Sequence, residues 1–198
     1  SRTPWWSIPL IWGPIVVGMF AYGVAVQAVP LVAAAIQAVV GVIFWTFSEY
    51  WLHRTVFHWE PDHAFGRRFH FILHGCHHTW IDDPYRLVMP PAAGMIIASL
   101  FWAAFTGVAT VLEPMGIADT WRWAFFGGFL GGYINYDLTH YATHHVKLTN
   151  NRLKRIRRHH MTHHFKEPDR KFGFTTFFWD RLFGTCLLYT SPSPRDPM

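Results

Sequence analysis

His74-Gly75-Cys76-His77-His78 is the stretch from which the rest of the chain reads outward, and His160-Met161-Thr162-His163-His164 repeats its pattern. On a helix, residues three and four apart stack on one face, so each H-x-x-H-H unit aims its imidazoles in one general direction. The adjacent pair inside each unit diverges by about 100°, because a turn takes about 3.6 residues. One ion serves such neighbours poorly, whereas two ions side by side serve both. The expectation is a two-metal site built from helices.

Two further groups join these units, His53 with His58 and His140 with His144, giving ten imidazoles in four groups. Neutral imidazole binds iron, zinc, copper or nickel, so ligand type leaves the metal open. The count says more, since a structural zinc site closes with about four ligands and ten suit two ions of about five each. His63, His70 and His145 read as surface or satisfied core residues, although His70 lies one turn before His74 on the same helical face. His159 points one helical step away from the second unit, which places it behind the ligands or in solvent. Glu49 and Asp137 lie one turn before His53 and His140, where a carboxylate orients an imidazole through its second nitrogen. Glu49, Asp137, His70 and His159 are thus the candidates to support the ligands from behind.

The housing is apolar. At 198 residues and 51% hydrophobic content the chain is one domain with a large core. Charge-free runs at 8–29 and 31–47, joined at Pro30, form one expected membrane hairpin, and 92–112 with 123–136 form a second. The first run is too long, and too poor in basic residues ahead of it, for a cleaved signal peptide. The fourth run is short and carries Gly127, Gly128, Gly131 and Gly132, which favours close helix packing. The fold expected is all-α and integral to the membrane, with about four transmembrane helices and a helical cap holding the histidines. Residues 1–185 form this domain, while 186–198, rich in Ser and Pro, read as a disordered or non-native tail. Because the chain opens on Ser1 rather than Met, its N-terminus is expected to be a fragment edge.

Charge orients the housing. Of 17 Lys and Arg, four fall in 52–88 and ten in 137–181, all on one expected side, against a single Arg122 in the loop on the other. The positive-inside rule then puts the histidines on the cytoplasmic face. The net charge of +5 is tied to no nucleic-acid module, so a nucleic-acid partner is not expected. The two cysteines imply no disulfide framework.

Several of these stretches resemble the fatty acid hydroxylase (sterol desaturase-like) superfamily. They are Glu49-Tyr50-Trp51-Leu52-His53-Arg54 with Phe57-His58, the two H-x-x-H-H units, and Phe172-Gly173-Phe174 with Trp179-Asp180. Arg86-Leu87-Val88-Met89-Pro90-Pro91 and Tyr136-Asp137-Leu138-Thr139-His140-Tyr141 are similar, more narrowly, to fatty acid 2-hydroxylases, which act on sphingolipid acyl chains. The resemblance covers about residues 45–184. Two departures stand out: no cytochrome b5-like sequence lies within these residues, and the stretch from His58 to His74 is shorter than usual.

The resemblance implies that His53, His58, His74, His77, His78, His140, His144, His160, His163 and His164 bind a dinuclear metal centre. It also implies an O2-dependent hydroxylase of lipid acyl chains. Breaking a non-acidic C–H bond calls for a redox metal and O2, so iron is expected for activity, with zinc a redox-silent substitute. Two electrons must come from an external donor of cytochrome b5 or ferredoxin type, docking on Lys147, Arg152, Lys154, Arg155, Arg157 and Arg158. Tyr85 and Arg86, beside the Pro90-Pro91 break, are candidates for lipid entry. The expected location is the endoplasmic reticulum in a eukaryote or the inner membrane in a bacterium. The alternatives are a sterol or carotenoid hydroxylase or desaturase of the same superfamily, a non-redox metal-binding membrane protein, and a metal transporter. The transporter is disfavoured because its ligands would lie within the spans.

Overall fold

A computed structural model describes residues 2–186, and among these every regular element is helical. Three helices are long and apolar enough to cross a membrane: Ser7–Ala25, Leu31–Phe57 and Pro91–Met115. Their apolar side chains, Leu10, Val17, Val32, Ile96, Leu100 and Val111 among them, point outward, as lipid-facing residues do.

Helix α1 (Ser7–Ala25) ends four residues before the apolar run does. The N–H groups of Val26 and Gln27 both close onto Tyr22 O, and Ala28 takes a left-handed φ of 54°. The reversal is therefore built from 26–30 rather than from Pro30 alone. Helix α2 (Leu31–Trp51) follows and runs on without a break into a π-helical turn, Leu52–Phe57. Two short helices, α3 (Ala64–His70) and α4 (Cys76–Thr79), flank a second π-helical turn, Phe71–Gly75. Helix α5 (Pro91–Leu112) starts on Pro91, where the missing N–H would be unpaired anyway.

Helix α6 (Trp121–His145) differs from the short fourth run read from sequence. It extends to His145 and lies inside the bundle, with Phe125, Phe126, Phe129, Leu130 and Tyr133 buried. Protein covers this helix, so it does not need the apolar exterior that lipid demands, and it tolerates Asp137 and His140. Its approach to α2 is backbone to backbone. A Cβ on Gly128 would lie 1.9 Å from Ala38 O, and one on Gly41 would lie 2.0 Å from Phe125 O. Only glycine permits that contact.

Beyond α6, Asn150 caps α7 (Asn151–Phe165) by accepting the N–H groups of Arg152 and Leu153. A loop then returns to α8 (Phe178–Leu182). Thr185 is buried, and Cys186 donates its N–H to Asp180 O at 3.1 Å, so the fold reaches Cys186. The expectation for the rest of 186–198 lies outside the described residues. Cys76 and Cys186 are free.

Candidate metal centre

The bundle brings the ten grouped histidines to one end, where they divide into two sets. His53, His58, His74, His78 and His163 form one; His77, His140, His144, His160 and His164 form the other. Within each set the ligand atoms all lie within 4.8 Å of one another. The division follows helical phase. His74 and His78, four apart, enter one set while His77 enters the other; His160 and His164 enter the second while His163 enters the first.

His53 and His58 are five apart, a spacing that an α-helix would splay. The π-helical turn between them closes on the fifth residue, with the His58 N–H bonded to His53 O, and brings their Nε2 atoms to 3.2 Å. The second π-helical turn shifts the helix phase between His70 and His74. His70 stays beside the first set without joining it, its ring 6.4 Å from that of His58 and packed against Gly75.

The donor atoms converge. Nε2–Nε2 separations in the first set are 3.1 Å (His53–His74), 3.0 Å (His58–His163) and 2.8 Å (His74–His78). In the second they are 3.1 Å (His77–His140), 2.9 Å (His140–His160), 3.0 Å (His144–His160) and 3.0 Å (His77–His164). Ligands about 2.1 Å from a common ion and about 90° apart would be about 3.0 Å from each other. Ten nitrogen donors at this spacing fit two ions.

Electrostatics agree with that fit. Burial, followed by neighbouring charged groups, pushes His58, His78 and His144 down to about 3 and His164 to about 2. The same causes hold His74, His77 and His160 well below the ordinary 6.5. The rings are thus neutral near neutral pH, the form that a metal ion binds.

Glu49 does not reach His53. The Nδ1–H of His53 donates instead to Phe172 O at 2.7 Å, while Glu49 Oε1 accepts the N–H groups of Phe174 and Thr175. The carboxylate lies one turn away in sequence, but the backbone of the return loop fills the space behind the ring. Asp137 likewise turns from His140 toward Tyr133 and the Met89 backbone. His159 meets Asp180 at 3.1 Å, behind the ligands and away from them. His63 caps α3, and His145 is part-buried beside Tyr141. Sequence spacing gave no sign of Asp180, which is fully buried and binds the N–H groups of Phe172 and Gly173.

Two cavities adjoin each other, and the second is lined by histidines. One is narrow and apolar and lies between α1, α2, α5 and α6, lined by Trp12, Trp45, Ala98, Phe101, Phe129 and Tyr133. The other is lined by His74, His77, His140, Arg86, Val88 and Asp137. Both share Phe57, Met89 and Tyr136. Arg86 borders the second cavity, held by Asp83 at 2.9 Å and stacked over Trp80. Tyr85 does not line it and is half exposed, its carbonyl engaged by the Thr3 N–H.

The comparisons with known proteins agree with this site. The family model described as fatty acid hydroxylase matches residues 38–185. The chain is 39% identical over 98% of its length to a dihydroceramide fatty acyl 2-hydroxylase of Arabidopsis thaliana, covering 78% of that protein. It is 41% identical over 93% of its length to a ceramide very long chain fatty acid hydroxylase of Schizosaccharomyces pombe, covering 51% of it. It is also 32% identical to the human fatty acid 2-hydroxylase, of which it spans 53%. The solved structure of full-length scs7p, with only the hydroxylase domain visible, superposes with a TM-score of 0.85 at 35% identity, covering all of this chain and 70% of that one. With two clustered histidine sets, an apolar bundle and these relatives, the chain belongs to the fatty acid hydroxylase family, whose named members here are hydroxylating oxidoreductases.

Proposed function

We propose that this chain is a membrane-bound, O2-dependent hydroxylase with a dinuclear metal centre, acting at the 2-position of fatty acyl chains, those N-linked in ceramide-type lipids included. The observation that carries this reading is the apolar cavity running between the helices and meeting the histidine-lined one at Phe57, Met89 and Tyr136. An acyl tail suits the first cavity. Its carbonyl end then suits the second, beside Arg86, which puts the carbons next to the carbonyl near His77 and His140.

The ten histidines would hold the two ions, and a redox metal such as iron, supplied with O2 and two electrons, provides the chemistry that breaks an alkyl C–H bond. The chain's own residues position and shield. Trp12, Trp45, Phe101 and Phe129 exclude water from the tail, and Arg86, fixed by Asp83 and Trp80, orients the polar end. Bulk in the apolar cavity limits where the chain can sit, so the site of oxidation is set from the carbonyl end.

In the proposed topology α6 crosses beside the three apolar helices, and the histidine end faces the cytoplasm. The exposed side of α7 carries Arg152, Lys154, Arg155, Arg157 and Arg158, with Lys147 just before it, while the opposite side carries His160 and His163. An acidic electron donor of cytochrome b5 or ferredoxin type docking there would lie one helix width from the ions. Iron is the working metal in this reading. A sterol or carotenoid substrate is the weaker reading, because the relatives named above are hydroxylases of fatty acyl chains.

Lipid mass spectrometry after expression in a host lacking its own hydroxylase tests the proposal. Acyl lipids should gain one oxygen at carbon 2, and His77→Ala should abolish the gain. No oxidised lipid from metal-loaded, reduced protein would refute it.

A further inference from the structure

The two histidine sets differ in what stands behind their rings. In the first set, His53 Nδ1 donates to Phe172 O at 2.7 Å and His163 Nδ1 donates to Arg170 O at 2.7 Å. In the second, His77 and His164 have buried Nδ1 atoms with no protein partner. A carbonyl behind Nδ1 fixes the tautomer that presents Nε2 to the ion, holds the ring plane and makes the ligand more basic.

Those two carbonyls belong to one strap, residues 170–175, and two buried carboxylates clamp it. Asp180 takes the N–H groups of Phe172 and Gly173 at 2.9 Å each and is itself braced by the Thr185 hydroxyl at 2.7 Å and His159 at 3.1 Å. Glu49 takes the N–H groups of Phe174 and Thr175 at 2.7 Å each, together with the Thr175 hydroxyl. Four consecutive backbone N–H groups are thus tied to two carboxylates, which holds the Phe172 carbonyl among them, and the Lys171 N–H, bonded to Thr185 O at 3.0 Å, holds the Arg170 carbonyl in its own peptide unit. Gly173 leaves no slack, since a Cβ there would lie 2.7 Å from Asp180 Oδ2.

We propose that Asp180 and Glu49 are positioning residues that act through the carbonyls of this strap chiefly on one metal position, the strap meeting the other set only through the Phe174 ring against His140 and His160. The ion held by His53, His58, His74, His78 and His163 is the slowly exchanging member of the pair, and its partner is the labile one. This rests on the two-ion reading above.

Zinc release from the full chain in detergent, followed with an excess of chromogenic chelator, tests it. The unaltered chain holds two zinc ions and loses them in two phases. His144→Ala keeps only the slow phase, and His58→Ala only the fast one. Asp180→Asn speeds the slow phase by about 10–100-fold, the usual effect of losing support behind a ligand, and leaves the fast phase unchanged. Glu49→Gln, from the other end of the strap, speeds the slow phase more than the fast one, so the test survives if either variant fails to fold. A merely structural role would speed both phases together. Equal acceleration of both phases, acceleration of neither, or single-phase release from the unaltered chain overturns the proposal. Fewer than two ions per unaltered chain refutes the two-ion reading itself.

Discussion

Gly128→Ala is the sharpest test of how the bundle serves the site. The added Cβ would lie 1.9 Å from Ala38 O, against about 3.4 Å for an ordinary contact, so α2 and α6 must separate by about 1.5 Å. Both partners there are helical backbone, which cannot rotate away, and such overpacking costs about 1–3 kcal/mol. At about 2 kcal/mol the midpoint of thermal unfolding falls by roughly 5 °C for a chain of this size. The functional loss should be larger than the stability loss suggests. His53 extends from α2, while His140 and His144 sit at the end of α6, so the separation is passed to both ligand sets. A displacement of about 1 Å at a reacting centre costs about a hundredfold in rate. Gly18→Ala and Gly107→Ala supply the control, because no atom lies within 4 Å of either added Cβ. Those two should be neutral or stabilising by about 0.5–1 kcal/mol. Thermal melts in detergent, metal content and lipid product formation measure all three variants. A Gly128→Ala protein with unaltered melting, metal content and activity would refute the reasoning.

Two further outcomes follow from the cavities and the charges. Ala98→Phe places a ring in the apolar cavity; if it displaces about four methylenes at about 0.8 kcal/mol each, kcat/KM for long acyl chains falls by roughly 200-fold while shorter chains are spared. An unchanged chain-length profile from product mass spectrometry would dismiss that cavity as the tail site. In metal-stripped protein, His58, His78 and His144 titrate near 3 rather than the ordinary 6.5, so the folded state binds fewer protons than the unfolded chain and stability rises with pH. That stability is fully present above about pH 6.5 and is lost as the pH falls toward about 3, and a melting temperature that stays flat from pH 8 to pH 4 would contradict it.

Much of the site was legible in the sequence because its grammar is local. Histidines three and four apart report their own angular phase, so His74, His77 and His78 already imply two directions of approach, and the structure assigns them to two sets. The apolar runs and the glycines of α6 likewise declare a helical bundle with one close contact.

Other features are invisible to spacing. His53 and His58 would diverge on an α-helix, and only the π-helical turn brings them together; His70 lies beside the first set without joining it. Glu49 looked like a neighbour of His53, yet it bonds the backbone of Phe174, 125 residues away, and Asp180, though part of the Trp179-Asp180 motif, had no spacing that tied it to a histidine. The sequence by itself determined which side chains could bind metal, and that two directions were needed, because residue type and helical phase are local properties. Only the tertiary structure decided which backbone carbonyl stands behind which ring and which carboxylate holds that backbone. That pairing depends on where the return loop of 170–175 presents its N–H groups and carbonyls, and on distances no periodicity encodes.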